Sequence, residues 1–201
     1  RTIQKAEAQF KKGFAYLSSE TLDPYRIDLV KSEKDCTTLL GAYFHAQRYD
    51  RLEWASQACL DNALEFPDAY ISLAISLEKK GNLDEAIKVL SNVSKKFDQT
   101  PHIFLHLGRI LKTKKQTELA VLAFSEAAKR AQNVPQVVFD ILEYFSSIKR
   151  WKEARPLAQS LRNLDGLSAE IKLKLARVLK NAGDEKEAET LVSQAQELIK
   201  K

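Results

Sequence analysis

Two histidines stand four residues apart in this chain, His102 and His106, and Asp140 follows 34 residues after the second. On a helix that spacing puts both imidazoles on one face, and two imidazoles with a carboxylate suit zinc. The pattern nevertheless lacks the intervening Glu of a metalloprotease helix, and no third histidine is near in sequence. The reading is therefore no metal. The pair fits better as a proton-sensitive part of a binding surface, because imidazole changes charge between about pH 5 and 8. No nucleophile elbow, phosphate-cradling Gly-rich loop or enclosed carboxylate pair is present. The residues point to no enzyme and to no cofactor.

The elements that position these groups follow from pattern and composition. The chain has 201 residues, 44% of them apolar, with five prolines and six glycines. The alternation of Val, Ile and Thr that marks strands is missing, which leaves an all-α reading. No apolar run approaches the roughly 18 residues of a membrane span. The chain opens at Arg1 and not at Met, which leaves room for a removed leader or anchor and leaves the compartment, cytoplasm or periplasm, open. Net charge is +5, and it is uneven: residues 1–66 carry 9 basic and 10 acidic side chains, 67–134 carry 11 and 7, and 135–201 carry 12 and 10. The excess in the middle favours an acidic partner, and a nucleic acid less so.

Blocks starting at Pro67, Pro101, Pro135 and Ala169 align at a period of 34 residues. Their seventh positions read Leu73, Leu107, Ile141 and Leu175, and their eleventh Leu77, Leu111, Phe145 and Leu179. Ala86, Ala120, Ala154 and Ala188 fill the twentieth. Such a period marks stacked units, each too small to bury its own apolar face. Repeat stacking predicts one elongated domain.

Each unit reads as two helices. Residues 69–79 run apolar at Tyr70, Leu73, Ala74 and Leu77, the stripe of a helix with one buried face. Gly81-Asn82 breaks it, and residues 84–95 form the second helix, burying Ala86, Ile87, Leu90 and Val93. Alanine at the twentieth position lets the paired helices cross closely. Lys115 and Lys149 stand where Gly81 and Gly183 stand in other units, so those two turns are expected to differ in detail.

Residues 33–66 form a diverged repeat, with Leu52 in the place of the small residue. Cys36 and Cys59 fall at its fourth and twenty-seventh positions. In an antiparallel pair these can face each other, so the spacing allows a disulfide in an oxidising compartment, against the commoner case of two small buried side chains. Residues 1–32 hold a helix over about 3–17 and a shorter one opened by Asp23-Pro24, and they cap the array or form a worn repeat.

The set Tyr70, Leu73, Ala74, Leu77, Gly81, Leu83, Ala86 and Leu90 resembles the tetratricopeptide repeat, as does Phe104, Leu107, Gly108, Leu111, Ala120, Phe124 and Ala127. The likeness covers 67–201 strongly and 33–66 weakly, over units 67–100, 101–134, 135–168 and 169–201. It departs from the family in lacking Trp at the fourth position of each unit. The resemblance implies a right-handed superhelix, a solenoid of antiparallel helix pairs, whose first helices line a concave groove. Carried over by position, that groove takes in Ile71 and Ile75 from the first regular unit and His102, Leu105, His106, Arg109 and Lys112 from the second. Phe139, Asp140 and Glu143 come from the third, and Leu173, Lys174, Arg177 and Lys180 from the fourth. The implied groove is mixed: an apolar strip (Ile71, Ile75, Leu105, Phe139, Leu173) between two basic clusters and an acidic pair. The Asn partners of a carboxylate clamp are absent.

The expected function is a non-catalytic protein–protein interaction scaffold or adaptor that holds a peptide or helix of a partner, with an acidic stretch, in this groove. The alternatives are an RNA-binding helical repeat, which Asp140 and Glu143 disfavour by repelling phosphate, and the targeting region of a larger enzyme. A basic row along the inter-helix turns (Lys79-Lys80, Lys112, Lys114-Lys115, Lys149-Arg150, Lys180) reads as solubilising. The last helix, over 185–201, is expected to bury Ala188, Leu191, Val192, Ala195 and Leu198, and its end to pack on further chain, another protomer or a partner.

Overall fold

The computed structural model describes residues 2–13, 32–131 and 134–200. Among these the secondary structure is helical, in chain order α1 (Thr2–Lys11), α2 (Glu33–His45), α3 (Tyr49–Asp61), α4 (Pro67–Lys79), α5 (Leu83–Val93), α6 (Pro101–Thr113), α7 (Thr117–Arg130), α8 (Pro135–Ser147), α9 (Trp151–Leu161), α10 (Ala169–Asn181) and α11 (Glu185–Ile199). The fold is all-α, built of helix pairs. The chain divides into two compact units, Arg1–Ala120 and Val121–Lys201, with the division inside α7. The helix expected at Asp23-Pro24 lies outside the described residues.

In the first unit each helix packs on its sequence neighbour, and α4 packs also on α2 and α6. The apolar stripes explain this: Tyr43, Leu52, Leu90 and Ile103 are fully buried. Each such side chain contributes about 1.5–3 kcal/mol by leaving water. In the second unit α8 pairs with α9 and α10 with α11, while α9 packs on α10. Phe145, Ile141, Leu175 and Leu179 fill its core, and the Phe124 ring lies 4.4 Å from that of Tyr144.

The alanine column does what its size demands. Ala86, Ala120 and Ala154 are fully buried and Ala188 is 4% exposed. Leu52 holds the equivalent place in the diverged pair and is itself fully buried.

Helix starts follow local chemistry. Pro67, Pro101 and Pro135 each open a first helix, where the absent N–H has no intrahelical partner to lose. The fourth unit starts instead on Ser168, whose hydroxyl accepts from the Ile171 N–H at 3.3 Å. Ser32 caps α2 in the same way, accepting from the Asp35 N–H at 3.2 Å. Pro156 lies inside α9.

The turns correct one expectation. Lys115 and Lys149 do not make a different turn: both are left-handed, with φ of 61° and 58°, as are Gly81 at 86° and Gly183 at 92°. The hydrogen bonds match as well. Asn82 N–H reaches the Leu77 carbonyl at 2.9 Å, Gln116 that of Leu111 at 3.0 Å, Arg150 that of Phe145 at 2.9 Å, and Asp184 that of Leu179 at 2.8 Å. This six-to-one bond is the Schellman closure. It satisfies carbonyls the helix leaves open, which offsets the cost of a side chain at positive φ.

The C-terminal helix also departs from expectation. Leu198 is not buried against α10 but 44% exposed, beside Ile199 at 67%. The buried stripe of α11 stops at Ala195, one turn earlier.

Candidate functional site

In the first unit the groove positions fall into two classes. His102, Arg109 and Lys112 are exposed on α6. Ile71, Ile75 and Leu105 are not part of an exposed apolar strip: they are 7%, 8% and 3% exposed. The reason is that α4 lies against both α2 and α6, so the first helices cover one another's apolar positions. Burial pushes the half-buried His106 imidazole down from 6.5 to about 4, and Arg109 and His102 push the same way. That direction favours the neutral ring and moves its titration to the acid side of the range its spacing suggested.

Among the described residues no group of three or more His, Cys, Asp or Glu side chains gathers as a metal site. Cys36 and Cys59, both fully buried, are joined by a disulfide with sulfurs 2.01 Å apart and Cα atoms 6.2 Å apart.

In the second unit Phe139 and Asp140 are half-buried, and Gln136 Nε2 donates to Asp140 Oδ1 at 3.1 Å. Glu143, Lys174, Arg177 and Lys180 are exposed, and Leu173 is 41% exposed. Lys174 Nζ lies 3.1 Å from Glu170 and 3.7 Å from Glu143. A hydrogen bond to Glu170, helped by that carboxylate's charge, holds its ammonium above the ordinary lysine range.

Two clefts open on this surface. One, of about 350 Å³, is lined by Leu142, Glu143, Ser146, Trp151, Lys174 and Arg177. The other, of about 690 Å³, has Leu173, Ala176, Ala188 and Val192 along it, with Arg177 and Lys180 from α10 and Glu185 and Glu189 from α11. Arg177 lines both.

Three members of the basic row along the turns form ion pairs. Lys80 meets Glu53 at 3.0 Å and Asp50 at 3.5 Å, Lys114 meets Asp84, and Arg150 meets Glu153 at 2.9 Å. Lys80 and Lys114 thus tie one helix pair of the first unit to the pair before it, an arrangement that reading the row as solubilising overlooked. Trp54 was also passed over. It lies off the apolar stripe of α3 and is 42% exposed.

No helix among the described residues is long and apolar enough to cross a membrane. A comparison with curated proteins finds no match in sequence. Solved structures share the fold at low identity. PilF of Pseudomonas aeruginosa is similar with a TM-score of 0.68 and 16% identity, over 98% of this chain and 90% of that one. The C-terminal part of a TPR repeat-containing protein from Cytophaga hutchinsonii gives 0.69 and 15%, over 98% and 78%. BtubC from P. vanneervenii gives 0.61 and 20%, over 98% and 89%. The family model of Iml2/Tetratricopeptide repeat protein 39 matches residues 58–201. The alanine column, the paired helices with left-handed turns and this match agree, and the chain belongs to the Iml2/tetratricopeptide repeat protein 39 family.

Proposed function

We propose that the chain is a non-catalytic scaffold, and that the first-helix surface of its second unit takes a peptide or helix of a partner protein carrying an acidic stretch. The observation that carries this reading is the row Leu173, Arg177 and Lys180 on α10, a 41%-exposed leucine followed at four and seven residues by two cations. That spacing places all three on one helix face, along a cleft of about 690 Å³. A partner's apolar side chain would sit against Leu173, Ala176 and Val192. Its carboxylates would meet Arg177, whose guanidinium donates two parallel N–H bonds to a single carboxylate, and Lys180. Glu185 and Glu189 across the cleft would turn away a second acidic edge and so fix the direction of the segment. The receiving helices are already formed, so the ordering cost falls on the partner. Arg109 and Lys112, exposed on α6 of the first unit, offer the same kind of contact.

Calorimetry would compare a peptide of leucines flanked by aspartates with its lysine-flanked counterpart, against the chain and its Arg177→Glu plus Lys180→Glu variant. The reading expects the acidic peptide alone to bind, with affinity falling about tenfold or more in the variant. Equal binding of both peptides, or an unaffected variant, would remove this surface from the function.

A further inference from the structure

The first unit carries a second surface of opposite character. A cleft of about 610 Å³ runs between α3 and α5, the second helices of consecutive pairs, with Leu73 and Leu77 of α4 along it. Among the described residues four carboxylates line it, Asp50, Glu53, Asp61 and Glu85, against a single cation, Lys80. That cation is held by Glu53 at 3.0 Å and Asp50 at 3.5 Å. Its charge is thus spent on two of the four acids. Asp61 accepts from Gln57 Nε2 at 2.9 Å, a neutral donor that leaves its charge uncompensated. Glu85 is exposed at the other side of the cleft, in the first turn of α5.

Trp54 lies in this cleft with 42% of its surface exposed. The fold does not ask for a tryptophan there. Its counterparts at the 34-residue period, Lys88, Leu122, Pro156 and Thr190, all face solvent, so the position needs no large apolar side chain. An indole face beside uncompensated carboxylates is the combination that attracts a guanidinium: the ring quadrupole takes the cation face-on while the acids take its N–H groups.

We infer that the α3/α5 cleft is a docking surface for an arginine-bearing basic segment of a partner protein, which stacks a guanidinium on Trp54 and pairs with Asp61 and Glu85. This surface is separate from the α10 row and calls for a partner of the opposite charge. The chain as a whole carries a net charge of +5, so a cationic segment is not drawn to it indiscriminately, and its binding must be local.

The test titrates octa-arginine into the full chain by calorimetry, with octa-lysine and octa-glutamate alongside. Fluorescence in a Trp151→Phe background then assigns the emission change to Trp54, since the chain has two tryptophans. Saturable one-to-one binding of octa-arginine is expected, tighter than octa-lysine, with a change in Trp54 emission. Asp61→Lys plus Glu85→Lys, both at exposed positions, should weaken it about tenfold or more with helicity unchanged, and Trp54→Leu should remove the preference for arginine over lysine. Glu197→Lys, exposed on α11 of the second unit, should leave it unchanged. The inference is overturned by absent or unsaturable binding, by an unmoved Trp54 emission, or by equal weakening in Glu197→Lys. Self-association of the chain that Glu85→Lys abolishes would assign the cleft to a second copy and overturn it as well.

Discussion

Arg155 on α9 forks over Asp184 at the start of α11, with Nε 2.7 Å from Oδ2 and Nη2 2.6 Å from Oδ1. Gln159 Nε2 adds a third donor at 3.1 Å, and Arg162 meets Glu187 one turn further on. The fork fixes both the distance and the rotation between consecutive helix pairs, because a planar guanidinium meets a carboxylate in one orientation. The Asp184 side chain is 13% exposed and that of Arg155 49%, so solvent screens the pair in part. Arg155→Lys, which keeps the charge and loses the fork, should cost about 1 kcal/mol in urea denaturation. A loss below the resolution of the measurement would show the pair to be decorative.

The left-handed turns make a prediction of opposite sign. Lys115 and Lys149 carry a Cβ at φ near 60°, where an L-residue loses about 1–2 kcal/mol that glycine does not. Glycine gives back part of this through its freer unfolded chain. Lys115→Gly and Lys149→Gly should therefore each stabilise the protein by about 0.5–1 kcal/mol in thermal melts. Destabilisation by both would mean that the lysine side chains contribute more than their backbone costs.

His106 contributes to the acid side of the stability profile. Its folded imidazole titrates at about 4, below the ordinary 6.5, so the unfolded chain takes up the proton first. Its contribution to stability is intact above pH 6.5 and is lost as pH falls from there through 4. The drop from 6.5 to about 4, at about 1.4 kcal/mol per pH unit, bounds the loss at about 3.5 kcal/mol. His106→Gln should flatten that part of the urea-midpoint profile, and an NMR titration should find the ring neutral at pH 5.5. A ring protonated at pH 5.5 would contradict the packing.

The Cys36–Cys59 bridge spans 23 positions and joins α2 to α3, with both residues fully buried. Closing a loop of that size restricts the unfolded chain by about 3 kcal/mol in the chain-entropy view. Cys36→Ser plus Cys59→Ser should lower the melting temperature markedly, and reductant should do the same to the native chain while leaving the double variant unmoved. An unchanged melting temperature in both would mean that side-chain packing alone holds the pair.

Much of this was legible in the sequence, for reasons visible in single columns. Ala86, Ala120 and Ala154 announced a close helix crossing because one small side chain recurring at a fixed period has a steric cause, and all three are fully buried. The groove was less legible. Ile71 and Leu105 hold positions that the tetratricopeptide resemblance turns toward a groove, yet their exposure is decided by how closely α4 approaches α2 and α6, which no column records. The turns misled in another way. Lys115 and Lys149 looked unlike Gly81, but the six-to-one hydrogen bond outweighs residue preference there. Arg155 and Asp184 are 29 residues apart, so their fork could not be read from either helix alone.

Within each unit the helix contacts link elements that are adjacent or next but one along the chain. Contacts so close in sequence carry little loop-closure cost, which places each unit among rapid folders. A helix pair leaving the ribosome has its neighbour arriving next, so the interval in which an apolar face stands uncovered is short. The same locality confines damage: a cavity opened in one pair loosens that pair and its neighbours, and the rest of its unit keeps its shape.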